Sequence, residues 1–229
     1  MGKQVLITGA SGMVGKGVLL ECIDSPEVSD IIILVRNKIN ISDKKVKQVI
    51  LKDFTQINSV KNELGKPAAC FHCMGVSSVG MNESTFSELT FDVTRILADT
   101  MYSLNKDMVF CYVSGTGTDS TEKGNTMWAR VKGKTENYIL KLGFKAAYMF
   151  RPGIIIPEKG IQSRTRLYNI SYKIMRPFFP LFKRMKNVTT TTRIGQAMIR
   201  CLYFTDIASH LENVEINQTR CAVRKIGHF

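Results

Sequence analysis

The 229-residue sequence has no apolar run approaching the roughly 18 residues that a membrane-crossing helix needs, so no span is expected. Its opening, MGKQVLITG, has neither the charged flank nor the apolar length of a secretory leader. Myristoylation at Gly2 is not expected either, because Leu6 stands where that motif wants Ser or Thr. These absences point to a soluble, cytoplasmic protein. Internal repeats, low-complexity tracts and linkers are also missing, so residues 1–229 read as one domain. At 44% hydrophobic residues the chain has enough apolar side chains for a sizeable core.

Nothing in the sequence completes a metal site. The six cysteines (Cys22, Cys70, Cys73, Cys111, Cys201 and Cys221) lie in apolar runs, which suits buried thiols in a reducing compartment better than a disulfide framework. Cys70 and Cys73 have metal-like spacing, but they fall in AACFHCMG, a buried-strand pattern in which residues i and i+3 point to opposite faces. Without a second CxxC or HxxxH, core thiols are expected and no metal. Acidic side chains are scarce too: 19 against 32 basic ones leave a formal charge of +13. That excess fits an anionic partner, whether a phosphate-rich cofactor, an acidic substrate, nucleic acid or an anionic membrane. Most of these cations read as a solvated surface.

What is present is an alternation of apolar runs with segments of helical period, the pattern of βαβ units on a parallel sheet. KQVLIT, IIILVR, KQVILKD, AACFHCMG, MVFCYVS and AAYMFRPG are predicted strands, and HLENVEIN is a predicted last strand at the sheet edge. Val14, Val18, Leu19, Cys22 and Ile23 mark one helix, and Phe86, Leu89, Val93, Ile96, Leu97 and Leu104 a second. Val131, Tyr138, Ile139 and Leu142 mark a third, closed by Gly143, and IGQAMIRCLYF, behind threonines 189–192, a fourth. Residues 163–187 fit none of these patterns: seven basic side chains, none acidic, and several aromatics.

Thr8-Gly9-Ala10-Ser11-Gly12-Met13-Val14-Gly15 lies between the first predicted strand and helix, the context that gives such a run meaning as a dinucleotide fingerprint. Gly9 permits a sharp turn, Gly12 lets backbone approach a pyrophosphate, and Gly15 lets helix and strand pack closely. The helix N-terminus then presents N–H groups and partial positive charge to phosphate. At the end of the second strand, where a carboxylate would hold the ribose of NAD, the chain has Arg36, Asn37 and Lys38. A guanidinium grips a 2′-phosphate bidentately, and a charge-assisted bond of about 1.5–3 kcal/mol favours NADP over NAD by roughly ten- to a hundredfold.

TGASGMVG, FHCMG, YVSGTGTD, VKGKTEN, FRPGIII and HLENVEI together resemble the atypical and extended short-chain dehydrogenase/reductase superfamily, close to the Tat-interacting protein 30-like and nucleoside-diphosphate-sugar epimerase-like NAD(P)-binding proteins. The likeness covers nearly the whole chain. It implies a doubly wound (Rossmann) parallel α/β sheet with helices on both faces and a small C-terminal substrate-side lobe at 154–192. It also implies that Asp53 and Phe54 lie by the adenine and that Cys73, Met74 and Gly75 pass under the cofactor. Ser114 or Thr116 would orient a substrate carbonyl, Lys132 would hold the nicotinamide ribose, and Pro152 and Gly153 would lie beside the nicotinamide. The superfamily's Tyr-x-x-x-Lys is replaced here by Trp128-Ala129-Arg130-Val131-Lys132. Residues 128 and 132 share a helix face, but an indole N–H only donates and does not exchange a proton near neutral pH.

Two functions follow from that departure. One is an NADP-dependent oxidoreductase on a small carbonyl or hydroxyl substrate, with another group such as Tyr168, Tyr172 or Asp119 moving the proton. The other is a non-catalytic NADPH-binding sensor or interaction module with Trp128 packed against the ring. The basic, aromatic stretch 163–187 fits an acidic-substrate pocket, a subunit interface or a membrane-surface contact, in that order, in a monomer or homodimer. No nucleic-acid-binding module is recognisable.

Overall fold

The computed structural model describes residues 2–161, 179–183, 185–204 and 207–219. Cys221, Tyr168, Tyr172 and most of the basic stretch 163–187 lie outside the described residues. Strands β1 (Lys3–Thr8), β2 (Val28–Val35), β3 (Val46–Ile50), β4 (Ala69–His72), β5 (Val109–Val113), β6 (Ala146–Arg151) and β9 (His210–Glu212) form one parallel sheet in the order β3-β2-β1-β4-β5-β6-β9. Two further short strands, β7 (Ile154–Ile156) and β8 (Val188–Thr190), pair in parallel with each other. The described helices are α1 (Met13–Asp24), α2 (Lys61–Leu64), α3 (Glu83–Ser87), α4 (Val93–Leu104), α5 (Met127–Lys141), α6 (Phe179–Phe182), α7 (Thr191–Arg200) and α8 (Asn213–Thr219).

The central stretches of β1, β2, β4, β5 and β6 are apolar because both sheet faces are covered there, and successive side chains go to opposite cores. Val5, Ile7, Ile31, Ile33, Phe71, Cys111, Tyr148 and Phe150 pack on one face against Val18, Leu19 and Cys22 of α1 and Ile194, Ala197 and Met198 of α7. Leu6, Ile32, Leu34, Cys70, Phe110 and Met149 pack on the other against Leu97, Ala98 and Met101 of α4 and Ile139 of α5. The same alternation separates Cys70 from Cys73, which packs on the first face. The expected doubly wound α/β sheet is therefore the fold. Among the described residues, no helix is long and apolar enough to cross a membrane.

Several element boundaries differ from expectation. Strand β2 stops at Val35, so Arg36 stands exposed just beyond it, and β3 stops at Ile50. The strand expected over HLENVEIN is only His210–Glu212, after which the chain turns into α8. Its sole sheet partner, β6, pairs through Arg151 and is followed by Pro152, which has no N–H to extend a ladder. Helix α7 ends at Arg200 instead of Phe204, and of the four threonines it is Thr190 that caps it, accepting from the Arg193 N–H at 3.1 Å.

Strand order reverses between β1 and β4. In an open parallel sheet the crevice beyond the carboxyl ends of two such strands is where ligands bind. The glycine turn follows β1 at this place.

Candidate functional site

At the switch point the chain is held by backbone approach. Gly9 has φ +72°, and a Cβ there would lie 2.6 Å from the carbonyl oxygen of Cys73 at the end of β4. The Gly12 N–H donates to the Gly9 oxygen at 2.8 Å, which closes the turn, and Gly12 begins α1 with no side-chain cap. Its neighbours Met13, Val14 and Gly15 supply first-turn N–H groups that have no intrahelical acceptor by helix geometry. Uncapped amides at the positive end of a 12-residue helix, beside a backbone stripped of side chains, fit a diphosphate. Gly75, just past Cys73 and Met74, is exposed with open space beside it.

Thr8 contributes its backbone to this turn while its side chain turns into the sheet. Its hydroxyl lies 2.6 Å from Nδ1 of His72, whose Nε2 lies 3.0 Å from the Thr94 hydroxyl of α4. The His72 ring is fully buried and stacks on Tyr112, and burial lowers its pKa from 6.5 to about 3. A neutral imidazole thus joins β1, β4 and α4 directly beneath the glycine turn.

At the ends of β2 and β3, Arg36, Asn37 and Lys38 are exposed, and the ammonium of Lys52 reaches across from beyond β3 to the Asn37 side-chain oxygen at 2.5 Å. Asp53 is occupied locally: it caps the turn Phe54–Val60, accepting from the N–H and hydroxyl of Thr55 at 2.9 and 2.7 Å. Those bonds hold its carboxyl below the ordinary value. The Phe54 ring packs in the core with Leu34, Val49 and Ile57.

At the opposite end of the crevice the structure distinguishes Ser114 from Thr116. Ser114 is buried, and its hydroxyl donates to Glu136 at 2.5 Å. Thr116 is exposed, its N–H bonded to the Pro152 oxygen at 3.1 Å and its hydroxyl 2.9 Å from the Arg151 oxygen and 3.2 Å from Glu212 Oε2. Gly153 adjoins it, with its N–H donating to Asn213 Oδ1 at 3.2 Å. Lys132 of α5 donates to the main-chain oxygen of Ser114, and burial lowers its pKa, opposed by the Glu136 carboxylate one helical turn on. Half-buried Trp128 lies with its ring centroid 5.9 Å from the Lys132 ammonium. Asp119 is engaged within its own loop by Thr121 and Gly124.

The side chains that organise this end are not among those expected. Glu136 is fully buried, and Arg151 forks onto it, with Nε at 3.0 and 3.2 Å and Nη2 on the same carboxylate. His210 Nε2 lies 3.5 Å from Glu136 as well. Arg130 is bidentate to Glu83, at 3.2 and 2.6 Å, and ties α5 to α3. The i, i+4 spacing of Lys132 and Glu136 on α5 was visible in the sequence, but Arg151 and Glu212 enter only through the neighbouring strands. Among the described residues, no group of three or more His, Cys, Asp or Glu is placed to hold a metal ion.

This arrangement of glycine turn, α1 and strand ends has a family. Residues 5–133 match the NAD dependent epimerase/dehydratase family. The chain belongs to that family. Solved structures share the fold at low identity. ADP-L-glycero-D-manno-heptose-6-epimerase of Helicobacter pylori is 14% identical with a TM-score of 0.68, over 92% of this chain and 76% of that one. The Bordetella bronchiseptica enzyme WbmG, solved in complex with NAD, is 9% identical with a TM-score of 0.68, over 93% and 72%. A short-chain dehydrogenase/reductase of Saccharomyces cerevisiae is 15% identical with a TM-score of 0.67, over 93% and 96%.

Proposed function

We propose that this epimerase/dehydratase-family protein is an NADP(H)-dependent oxidoreductase acting on a small carbonyl or hydroxyl compound. The observation that carries the NADP preference is the cationic group Arg36, Lys38 and Lys52 at the ends of β2 and β3, where Arg36 is exposed and takes the place of a ribose-binding carboxylate. The pyrophosphate would rest on the Gly9–Gly15 turn and the first-turn amides of α1. The nicotinamide end would lie by Lys132, Pro152 and Gly153, and the cofactor when bound supplies or accepts hydride. Thr116 is assigned the substrate oxygen, because the Ser114 hydroxyl is committed to Glu136. Lys132 orients by donating hydrogen bonds, with its lowered pKa reflecting burial.

Trp128 favours a second reading, a non-catalytic NADPH-binding module, since no phenol stands at that position. Losing general acid/base help costs about 10²–10⁴ in rate, which leaves the redox reading standing. The test is calorimetric titration of wild type and Arg36→Ala with NADPH and NADH. Affinity for NADPH is expected to fall roughly tenfold or more while that for NADH barely changes. Equal losses for both would remove the NADP assignment.

A further inference from the structure

Oxidising an alcohol carbon, or reducing a carbonyl, moves one proton at the oxygen, and position 128 offers no group to carry it. The Thr116 hydroxyl has one proton and two lone pairs, so it passes a proton onward only if an acceptor stands behind it. The fold supplies one from 96 residues further along the chain: Glu212, at the end of edge strand β9, has Oε2 3.2 Å from Thr116 Oγ1. The same hydroxyl lies 2.9 Å from the Arg151 carbonyl oxygen, so its single hydrogen has two acceptors between which it can swing. Glu212 is held toward Thr116. Its Oε1 lies 3.8 Å from Arg151 Nη1, and its own N–H donates to Glu215 Oε2 at 3.1 Å. Arg151 is in turn fixed by buried Glu136. The Glu212 side chain is 45% exposed, which gives it exchange with solvent.

We propose that Glu212 is the terminal proton acceptor of this site, reached through the Thr116 hydroxyl, in place of a phenol at position 128. The inference rests on the oxidoreductase reading. In the oxidation direction the substrate O–H bond breaks and its proton goes to Thr116 Oγ1. The Thr116 proton passes to the Glu212 carboxylate, and the carbinol hydride goes to the oxidised nicotinamide. Carbonyl product, carboxylic acid and reduced nicotinamide balance the step, and Glu212 returns its proton to water. Reduction runs the same path backward. Among the described residues, the charged and titratable groups about Glu212 are Arg151 from β6, Glu215 from α8 and His210 from its own strand, with Glu136 and Asp119 behind Arg151. Trp128 lies beside the Lys132 ammonium, its ring edge 3.5 Å from where a Cβ of Gly117 would sit.

The experiment compares wild type, Glu212→Gln, Glu212→Asp, Thr116→Val and the double variant E212Q/T116V. NADP(H)-linked turnover is measured across pH 5–9 with a panel of small alcohols, aldehydes and ketones, alongside NADPH affinity by fluorescence. Glu212→Gln is expected to lower kcat by about 10²–10⁴ and to alter the pH dependence of oxidation, with NADPH affinity unchanged within about twofold. Glu212→Asp should recover part of the rate, and the double variant should be no worse than either single one, as residues acting in series require. Independently of turnover, the carbon-13 chemical shift of the Glu212 carboxyl in cofactor-free protein at fixed pH should change in Thr116→Val, because the carboxylate loses a donor. A Glu212→Gln enzyme with wild-type rate and profile overturns the relay while leaving the oxidoreductase reading intact. A wild type that binds NADPH and turns over no compound overturns both. An unmoved carboxyl signal in Thr116→Val removes the hydrogen bond on which the relay depends.

Discussion

Gly12→Ala and Gly15→Ala are expected to fail in opposite ways, and the difference comes from where each methyl would sit. At Gly15 a Cβ would lie 2.2 Å from the Gly9 oxygen and 2.5 Å from the Gly9 carbon, all of it backbone. That is more than about 1 Å inside an ordinary contact, so turn and helix α1 must separate. Overpacking of this kind costs about 1–3 kcal/mol, and unyielding backbone puts it at the upper end. For a chain of this length about 3 kcal/mol lowers the melting temperature by roughly 6–12 °C. At Gly12, by contrast, the methyl meets only the Gly9 oxygen at 3.3 Å, and φ −89°, ψ 170° is open to alanine. The loss of stability should stay under about 1 kcal/mol. The Gly12 methyl instead stands over the uncapped first turn of α1, where a diphosphate must approach, so NADPH affinity should drop at least about tenfold, or 1.4 kcal/mol. Circular-dichroism melts and NADPH fluorescence titrations of the two variants measure both quantities. A Gly12→Ala protein that binds NADPH like wild type, or a Gly15→Ala protein that melts with it, would refute the reasoning.

Two other outcomes are expected. Folded His72 has its pKa lowered to about 3 against an ordinary 6.5, so the unfolded chain binds the extra proton. The stability it contributes is complete above pH 6.5 and is lost as pH falls from there toward 3. Melts between pH 7 and 4 should show that decline and His72→Asn a shallower one, while nitrogen-15 NMR should find the native ring neutral at pH 5; a charged ring at pH 5 refutes it. Trp128 is the chain's single tryptophan, so saturating NADPH should quench the emission strongly if the indole borders the nicotinamide site. Trp128→Tyr should raise carbonyl reduction only slightly if Glu212 already serves the proton, and an unquenched wild type at proven saturation would place the indole away from the cofactor.

The parallel sheet was legible because its strands are buried on both faces: unbroken apolar runs such as KQVLIT and MVFCYVS have no other stable use at that length. The glycine turn was legible for a related reason, since its constraints are local to β1, α1 and the residues between them. Arg36 was found at the end of β2 by counting forward from the glycines, and the structure adds Lys52 from the neighbouring strand end. Where the sequence misled, a neighbour decided. HLENVEIN reads as a strand at the sheet edge, and the end of β6 at Arg151-Pro152 limits it to three paired residues. Phe54 packs in the core as that turn docks on the sheet, while the Asp53 cap on Thr55 is a bond two residues long.

The sequence by itself determined the βαβ order, the glycine turn at the head of α1, the loss of the tyrosine and the excess of positive charge, because each depends on residues a few positions apart. Tertiary structure decided which hydroxyl is available, Thr116 and not Ser114, and what stands behind it. Glu136, Arg151 and Glu212 come from a helix and two strands spread over residues 136–212, and they converge only because β5, β6 and β9 are neighbours in the sheet. The adjacency of strands far apart in the chain is set by how all the helices cover both faces of the sheet at once, and no local spacing encodes it.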